Sequence, residues 1–166
     1  MKKLDFRGSA FVIGQQLGDF GRDGWHNKLT HTRLWQTVTA MKDTQQIRNM
    51  RARVQRQFPL IWQELEGLAE GLQAPIDEVF AWNCRGDLVR STSDGCTTVA
   101  GKSASGELII AHNEDGFPQL RDDCALVTVT PDDGLAFTSL DYPASLCGHT
   151  FAVNAKGIVN TVNKLR

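Results

Sequence analysis

The apolar residues of this chain change their spacing once, and that change sets what it can fold into. From Ile47 through Met50, Val54, Phe58, Ile61, Leu65, Leu68 and Leu72 they recur in steps of three and four, the repeat of one helix face. After Gly95 they alternate instead. CTTVAGK and ELIIAHNED flank SASG, VTVT and LAFTSL flank PDDG, and TFAVNA and IVNTVN flank a turn at Lys156–Gly157. A helical first half and antiparallel strands after Cys96 make an α+β fold. The 166 residues suffice for one domain with its own core, and no repeat or low-complexity linker divides them. Residues 1–95 form the helical segment of that domain and residues 96–166 the beginning of its sheet.

Pro59 cannot donate a backbone hydrogen bond, so the long apolar run is one kinked helix or two helices meeting near Phe58, ended by Gly71 and Pro75. A shorter helix begins near Pro75–Asp77 and carries Val79, Phe80 and Trp82, with Asp77 and Glu78 at the positive end of its dipole. Upstream, GSAFVIGQQLGDFGRDGW reads as a short helix capped by Ser9 and interrupted by Gly14, Gly18 and Gly21. Each internal glycine costs about 1 kcal/mol relative to alanine, so their number implies close backbone packing.

A formal net charge of -1 makes nucleic acid a poor partner, and no apolar run nears the roughly 20 residues that span a bilayer, so the cytoplasm is the expected location. Cys84, Cys96, Cys124 and Cys147 contain no CxxC pair and are expected as free thiols. His26, His31, His112 and His149 stand at no metal-ligand spacing from them, so neither metal nor cofactor is expected. Arg48, Arg51, Arg53 and Arg56 offer charge to an anion such as coenzyme A, but on an amphipathic helix they are read as a solvated face.

Three places offer chemistry. Cys96 follows a glycine at a loop-to-strand boundary, where a thiol is either a small core hydrophobe or a nucleophile held at a sheet edge. His112–Asn113–Glu114–Asp115 ends the strand that SASG brings beside Cys96; it is either a solvated turn or an acid and an amide that orient the nucleophile. Asn160 and Asn163 fall on opposite faces of a strand, so one amide points inward and needs a partner, a substrate oxyanion among the choices.

Taken together, DGCTT, then NED, then N-x-x-G followed by an asparagine, behind an ELEGLAEG helix and WNCRGDL, resemble the acyl-coenzyme A:6-aminopenicillanic acid acyltransferase family of N-terminal-nucleophile hydrolases. The glycines at 8, 14 and 18 fit the same pattern. The resemblance implies an αββα sandwich, incomplete here because members of the family are longer, with an unpaired edge that leaves the chain marginal or self-associating. It implies that Cys96 becomes N-terminal when the chain cuts itself at Gly95–Cys96, the two segments staying associated. Asp115 would then orient the freed α-amine, and Asn163 would help hold the oxyanion, as in the related bile-salt hydrolases. The His112 position is often arginine in those enzymes, so their substrates are not carried over.

The implied activity is a cysteine amidohydrolase or acyltransferase acting on a small-molecule amide or acyl donor, acyl-coenzyme A among them, through a thioester on Cys96. Glycine at 95 permits the strained geometry that attack on its own carbonyl needs, and an α-amine titrating near pH 7.7–8.0 can take the thiol proton without a histidine. A choloylglycine-type or penicillin V amidase would place its nucleophile near the translated N-terminus, where Cys96 does not lie. The rival from another class is a non-catalytic, truncated remnant or binding module of the same fold.

Overall fold

The computed structural model describes residues 1–89 and 95–163. Most of the RSTSDG loop expected ahead of Cys96, residues 90–94, lies outside the described residues.

The first element is a strand, β1 (Lys2–Gly8), which corrects the expectation of an all-helical first half. Its reason was present in the sequence: Leu4 and Phe6 fall on one face while Lys3, Asp5 and Arg7 fall on the other and remain exposed. The charges that interrupt an apolar run are the solvent face of a period-two strand. Gly8, at φ 126°, then turns the chain into α1 (Ala10–Asn27). Ser9 caps that helix as expected, its side chain accepting from the Val12 N–H.

After a 3-10 turn at Leu29–His31 come α2 (Arg33–Thr39), α3 (Gln45–Gln57) and α4 (Pro59–Leu72). The long periodic run is therefore two helices, with Pro59 at the first turn of the second and Phe58 between them. Ile47, Leu65, Leu68 and Leu72 are buried, whereas Phe58 and Ile61, on the same periodic face, stay exposed. Gly71 does not end α4. It lies inside the helix against α1, and the stop is Gln73 in the left-handed conformation, φ 55°.

Gly14 and Gly18 of α1 face Glu64, Leu68 and Gly71 of α4, while Gly67 and Gly71 face Phe11, Gln15 and Asp19. The two helices meet backbone to backbone, which is why α1 runs its full length through its glycines rather than breaking at them. The short helices α5 (Ile76–Asn83) and α6 (Arg85–Leu88) follow, with Val79, Phe80 and Trp82 buried as the sequence predicts.

The remaining strands are β2 (Cys96–Lys102), β3 (Leu108–Glu114), β4 (Ala125–Pro131), β5 (Phe137–Asp141), β6 (Phe151–Asn154) and β7 (Val159–Thr161). Five form one sheet in the order β1-β4-β5-β6-β7, and β2 pairs with β3 apart from it. β1 runs parallel to β4, from Lys2 opposite Ala125 to Gly8 opposite Pro131, so the sheet is mixed rather than purely antiparallel. One core takes Phe6, Ile13 and Leu17 from the front of the chain, Phe80 and Trp82 from α5, and Val127 and Val129 from β4. The β2–β3 hairpin touches the large sheet where the His112 ring meets Phe151 edge-on at 6.0 Å. Val99, Leu108 and Ile109 on that hairpin are exposed. Among the described residues, no helix is long and apolar enough to cross a membrane.

Candidate active site

Antiparallel pairing decides which side chains meet at the hairpin. Cys96 stands opposite Glu114 and Thr98 opposite His112, so these four share one face, whose residues are partly buried while Thr97, Val99 and Asn113 on the other are exposed. The turn that sets this register is closed by Ser103 N–H donating to Glu107 O at 2.8 Å and Gly106 N–H to Ser103 O at 2.9 Å, with Gly106 at φ 85°.

On that face the side chains form a chain of contacts. The Cys96 thiol donates to Glu114 Oε2 at 3.2 Å, and His112 Nε2 lies 3.3 Å from the same oxygen. His112 Nδ1 is 2.9 Å from Thr98 Oγ1, which accepts from Asn163 Nδ2 at 2.8 Å. Cys96, His112 and Glu114 thus bring sulfur, nitrogen and oxygen donors within 4.8 Å of one another, a grouping that linear spacing did not show. Partial burial and the Glu114 hydrogen bond hold the Cys96 thiol above its usual range, while the Asp115 backbone N–H pulls it down.

The site residues named from the sequence are placed differently from one another. Gly95 and Cys96 sit at the mouth of β2, and the Gly95 carbonyl accepts from the Asp115 N–H at 3.2 Å. Asp115 therefore meets the junction through its backbone. Its carboxylate is exposed and accepts from Asn113 Nδ2 at 2.7 Å. Asn163 and Asn160 are both exposed rather than one inward: Asn160 lies in β7, the last strand of the sheet, and Asn163 lies beyond its end at Thr161, where it finds its partner in Thr98. Glu114 is the residue the sequence reading did not single out. Counting back along β3 from the SASG turn places it directly opposite Cys96.

Beside the junction, Asn113, Glu114, Asp115, Arg121, Cys124 and Tyr142 help line a cavity of about 420 Å³. Gly116 is required at its wall, since an added Cβ would lie 1.8 Å from Tyr142 Oη. The other thiols are less suited to attack. Burial pushes Cys84 up to about 12 and Cys124 to about 11, and raises Cys147 further still. All four cysteines are free, as expected.

The α+β chain thus places a cysteine at the start of a strand, an acid against its thiol and an N–H donor on the preceding carbonyl. Residues 99–166 match the family model described as Acyl-coenzyme A:6-aminopenicillanic acid acyl-transferase, the family that the motif set resembles. No curated protein matches the chain. The family match points to acyltransferase or N-terminal-nucleophile-hydrolase-like chemistry, and its stretch contains His112, Glu114, Asp115 and Asn163, with Cys96 just ahead of it.

Proposed function

We propose that the chain is an autoproteolytic cysteine amidohydrolase or acyltransferase of the N-terminal-nucleophile kind, built on an αββα arrangement and acting on a small-molecule amide or acyl donor. The observation that carries this is the junction itself: a thiol 3.2 Å from a carboxylate acceptor, one residue after a carbonyl held by the Asp115 N–H.

In self-cleavage, Cys96 Sγ attacks the Gly95 carbonyl carbon while Glu114 takes the thiol proton. The Asp115 N–H stabilises the charge that develops on the carbonyl oxygen. The amide nitrogen accepts a proton as the C–N bond breaks, which frees the Cys96 α-amine and leaves a Gly95 thioester on Cys96; water then hydrolyses the thioester to the Gly95 carboxylate and the free thiol. In turnover that amine serves as base for the same thiol. Asp115 orients it, and Asn163 Nδ2 is the oxyanion donor, held on Thr98 before cleavage. A second thioester forms from substrate and is resolved by water or an amine.

The segments before and after the cut are expected to stay together. β1 of the first pairs with β4 of the second over seven residue pairs, and both contribute to one core.

Intact mass of the purified chain tests the reading: two co-purifying pieces, Met1–Gly95 and Cys96–Arg166, are expected, and Cys96→Ala should remain whole and inactive while keeping its fold. A wild-type chain that stays whole after long incubation favours the non-catalytic remnant or binding module. Amide hydrolysis at the wild-type rate by Cys96→Ala would remove the nucleophile assignment.

A further inference from the structure

We propose that Cys96, His112 and Glu114 form a zinc site in the uncleaved chain, one that holds the thiol out of reaction until the metal leaves. A tetrahedral ion with Zn–S near 2.3 Å and Zn–N or Zn–O near 2.0 Å sets S···O and N···O ligand pairs about 3.5 Å and about 3.3 Å apart. Here Cys96 Sγ to Glu114 Oε2 is 3.2 Å and His112 Nε2 to the same oxygen is 3.3 Å. All three donors lie within 4.8 Å of one another, near the spread that one tetrahedral ion requires.

The groups behind the donors are arranged as metal sites require. The Thr98 hydroxyl can donate to Asn163 Oδ1 at 3.2 Å, which leaves Oγ1, 2.9 Å from His112 Nδ1, placed to accept the Nδ1 proton when Nε2 binds a metal. Nε2 is then the unprotonated nitrogen. It points at a carboxylate oxygen, lone pair toward lone pair, from a side chain only 4% exposed. A cation between the two would satisfy both, where in its absence an Nε2–H donating to Glu114 does so. Sulfur, imidazole and a single carboxylate select zinc over magnesium or calcium, which take oxygen ligands. Binding exchanges the Cys96 thiol proton for the metal, the proton leaving to solvent, and water completes the fourth position.

The regulatory consequence rests on Cys96 being the nucleophile: a thiolate committed to zinc cannot attack Gly95, so zinc-loaded chain should stay whole and a chelator should start the cut. The site itself is read without activity. The reduced, full-length chain is stripped with a chelator and titrated with Co²⁺, whose thiolate charge-transfer and tetrahedral d–d absorptions report the ligands.

The expected result is one Co²⁺ per chain, displaced by Zn²⁺, with the charge-transfer band lost in Cys96→Ser and retained in His31→Gln. His112→Gln and Glu114→Gln should each weaken binding. Thr98→Val keeps the shape but removes the oxygen behind Nδ1, and should weaken it by about 10–100-fold. Circular dichroism checks that each variant is folded.

A proton alone between Nε2 and Glu114 predicts no thiolate band at saturating Co²⁺, and that result overturns the proposal. So does a band that survives Cys96→Ser, or a folded Thr98→Val that binds like the wild type. Cleavage in chelator with no Co²⁺ band sinks the metal site and spares the nucleophile. A Co²⁺ band in a chain that never cuts, with or without chelator, supports the site and sinks the nucleophile.

Discussion

Gly67→Ala tests the contact on which the helical layer depends. An added Cβ at Gly67 would lie 2.0 Å from Phe11 O, 2.9 Å from Gln15 N and 2.9 Å from Phe11 C, all backbone atoms of α1. No rotamer change can relieve such an overlap, so α1 and α4 must part by about 1 Å or more, and contacts along both lose dispersion energy. Overpacking of this kind costs about 1–3 kcal/mol and occasionally more, while alanine regains about 1 kcal/mol of helix propensity. Because the obstruction is backbone, the upper end applies, and a net loss of about 2 kcal/mol is expected. Gly86→Ala on α6 is the control: nothing lies within 4 Å of its added Cβ, so it should be neutral or slightly stabilising. Urea denaturation reads both, with the midpoint of Gly67→Ala lowered at unchanged slope and its Tm down by about 2–4 °C per kcal/mol. A Gly67→Ala midpoint at or above the wild type would refute the backbone-to-backbone packing.

Two further perturbations address the polar interior. Asn83 donates to Val79 O at 2.9 Å and Ala144 O at 3.2 Å and accepts from Leu146 N–H at 3.0 Å, so Asn83→Ala leaves loop groups unpaired and should cost about 1–3 kcal/mol by denaturation. Burial, reinforced by Arg85, lowers His149 from 6.5 to about 4, so the unfolded chain binds a proton that the folded chain refuses, and stability falls as pH drops from 6.5 toward 4. With 24% of the His149 side chain exposed, solvent screening limits that loss to about 1–3 kcal/mol. His149→Gln should flatten this acid limb in a pH series of melts, and an unchanged limb would refute the assignment. Glu64, raised to about 7 by burial, acts in the opposite sense: its contribution is full below pH 4.5 and lost as pH rises through 7; Asp141, raised well above its usual range by burial 3.8 Å from His149, acts in the same sense as Glu64.

What the sequence revealed follows from how local each signal is. β2 was legible to the residue, because alternation and the SASG turn both lie within a few positions of it. A missing N–H at Pro59 announced a break but left a kinked helix and two helices both open, and the structure has two. β1 was hidden because its solvent face is charged and its partner, β4, lies across the whole helical segment; nothing local announces a parallel pairing. The cysteine, the acid at the strand end and the asparagine were legible as candidates, from residue type and place. Their connections were not, since Glu114 meets Cys96 through register and Asn163 meets Thr98 between separate sheets. Phe58 and Ile61 fit the helix period and are exposed nonetheless, because periodicity names a face without naming what covers its ends.

The position of the junction gives the proposed cut its physical sense. Among the described residues β2 begins at Cys96 and pairs only with β3, whereas the front of the chain is tied to the large sheet by the full β1–β4 ladder. Breaking Gly95–Cys96 therefore interrupts no ladder. Among the described residues it disturbs one backbone hydrogen bond, from Asp115 N–H to Gly95 O. A cut almost anywhere within β4 would instead sever a strand buried on its inner face at Ala125, Val127 and Val129. The new α-amine would appear beside Glu114 and Asp115, two carboxylates able to receive an ammonium, while the thiol keeps its place on the strand. Self-cleavage at this bond would change the charge at the site far more than it changes the fold, as a step that creates a catalytic base requires.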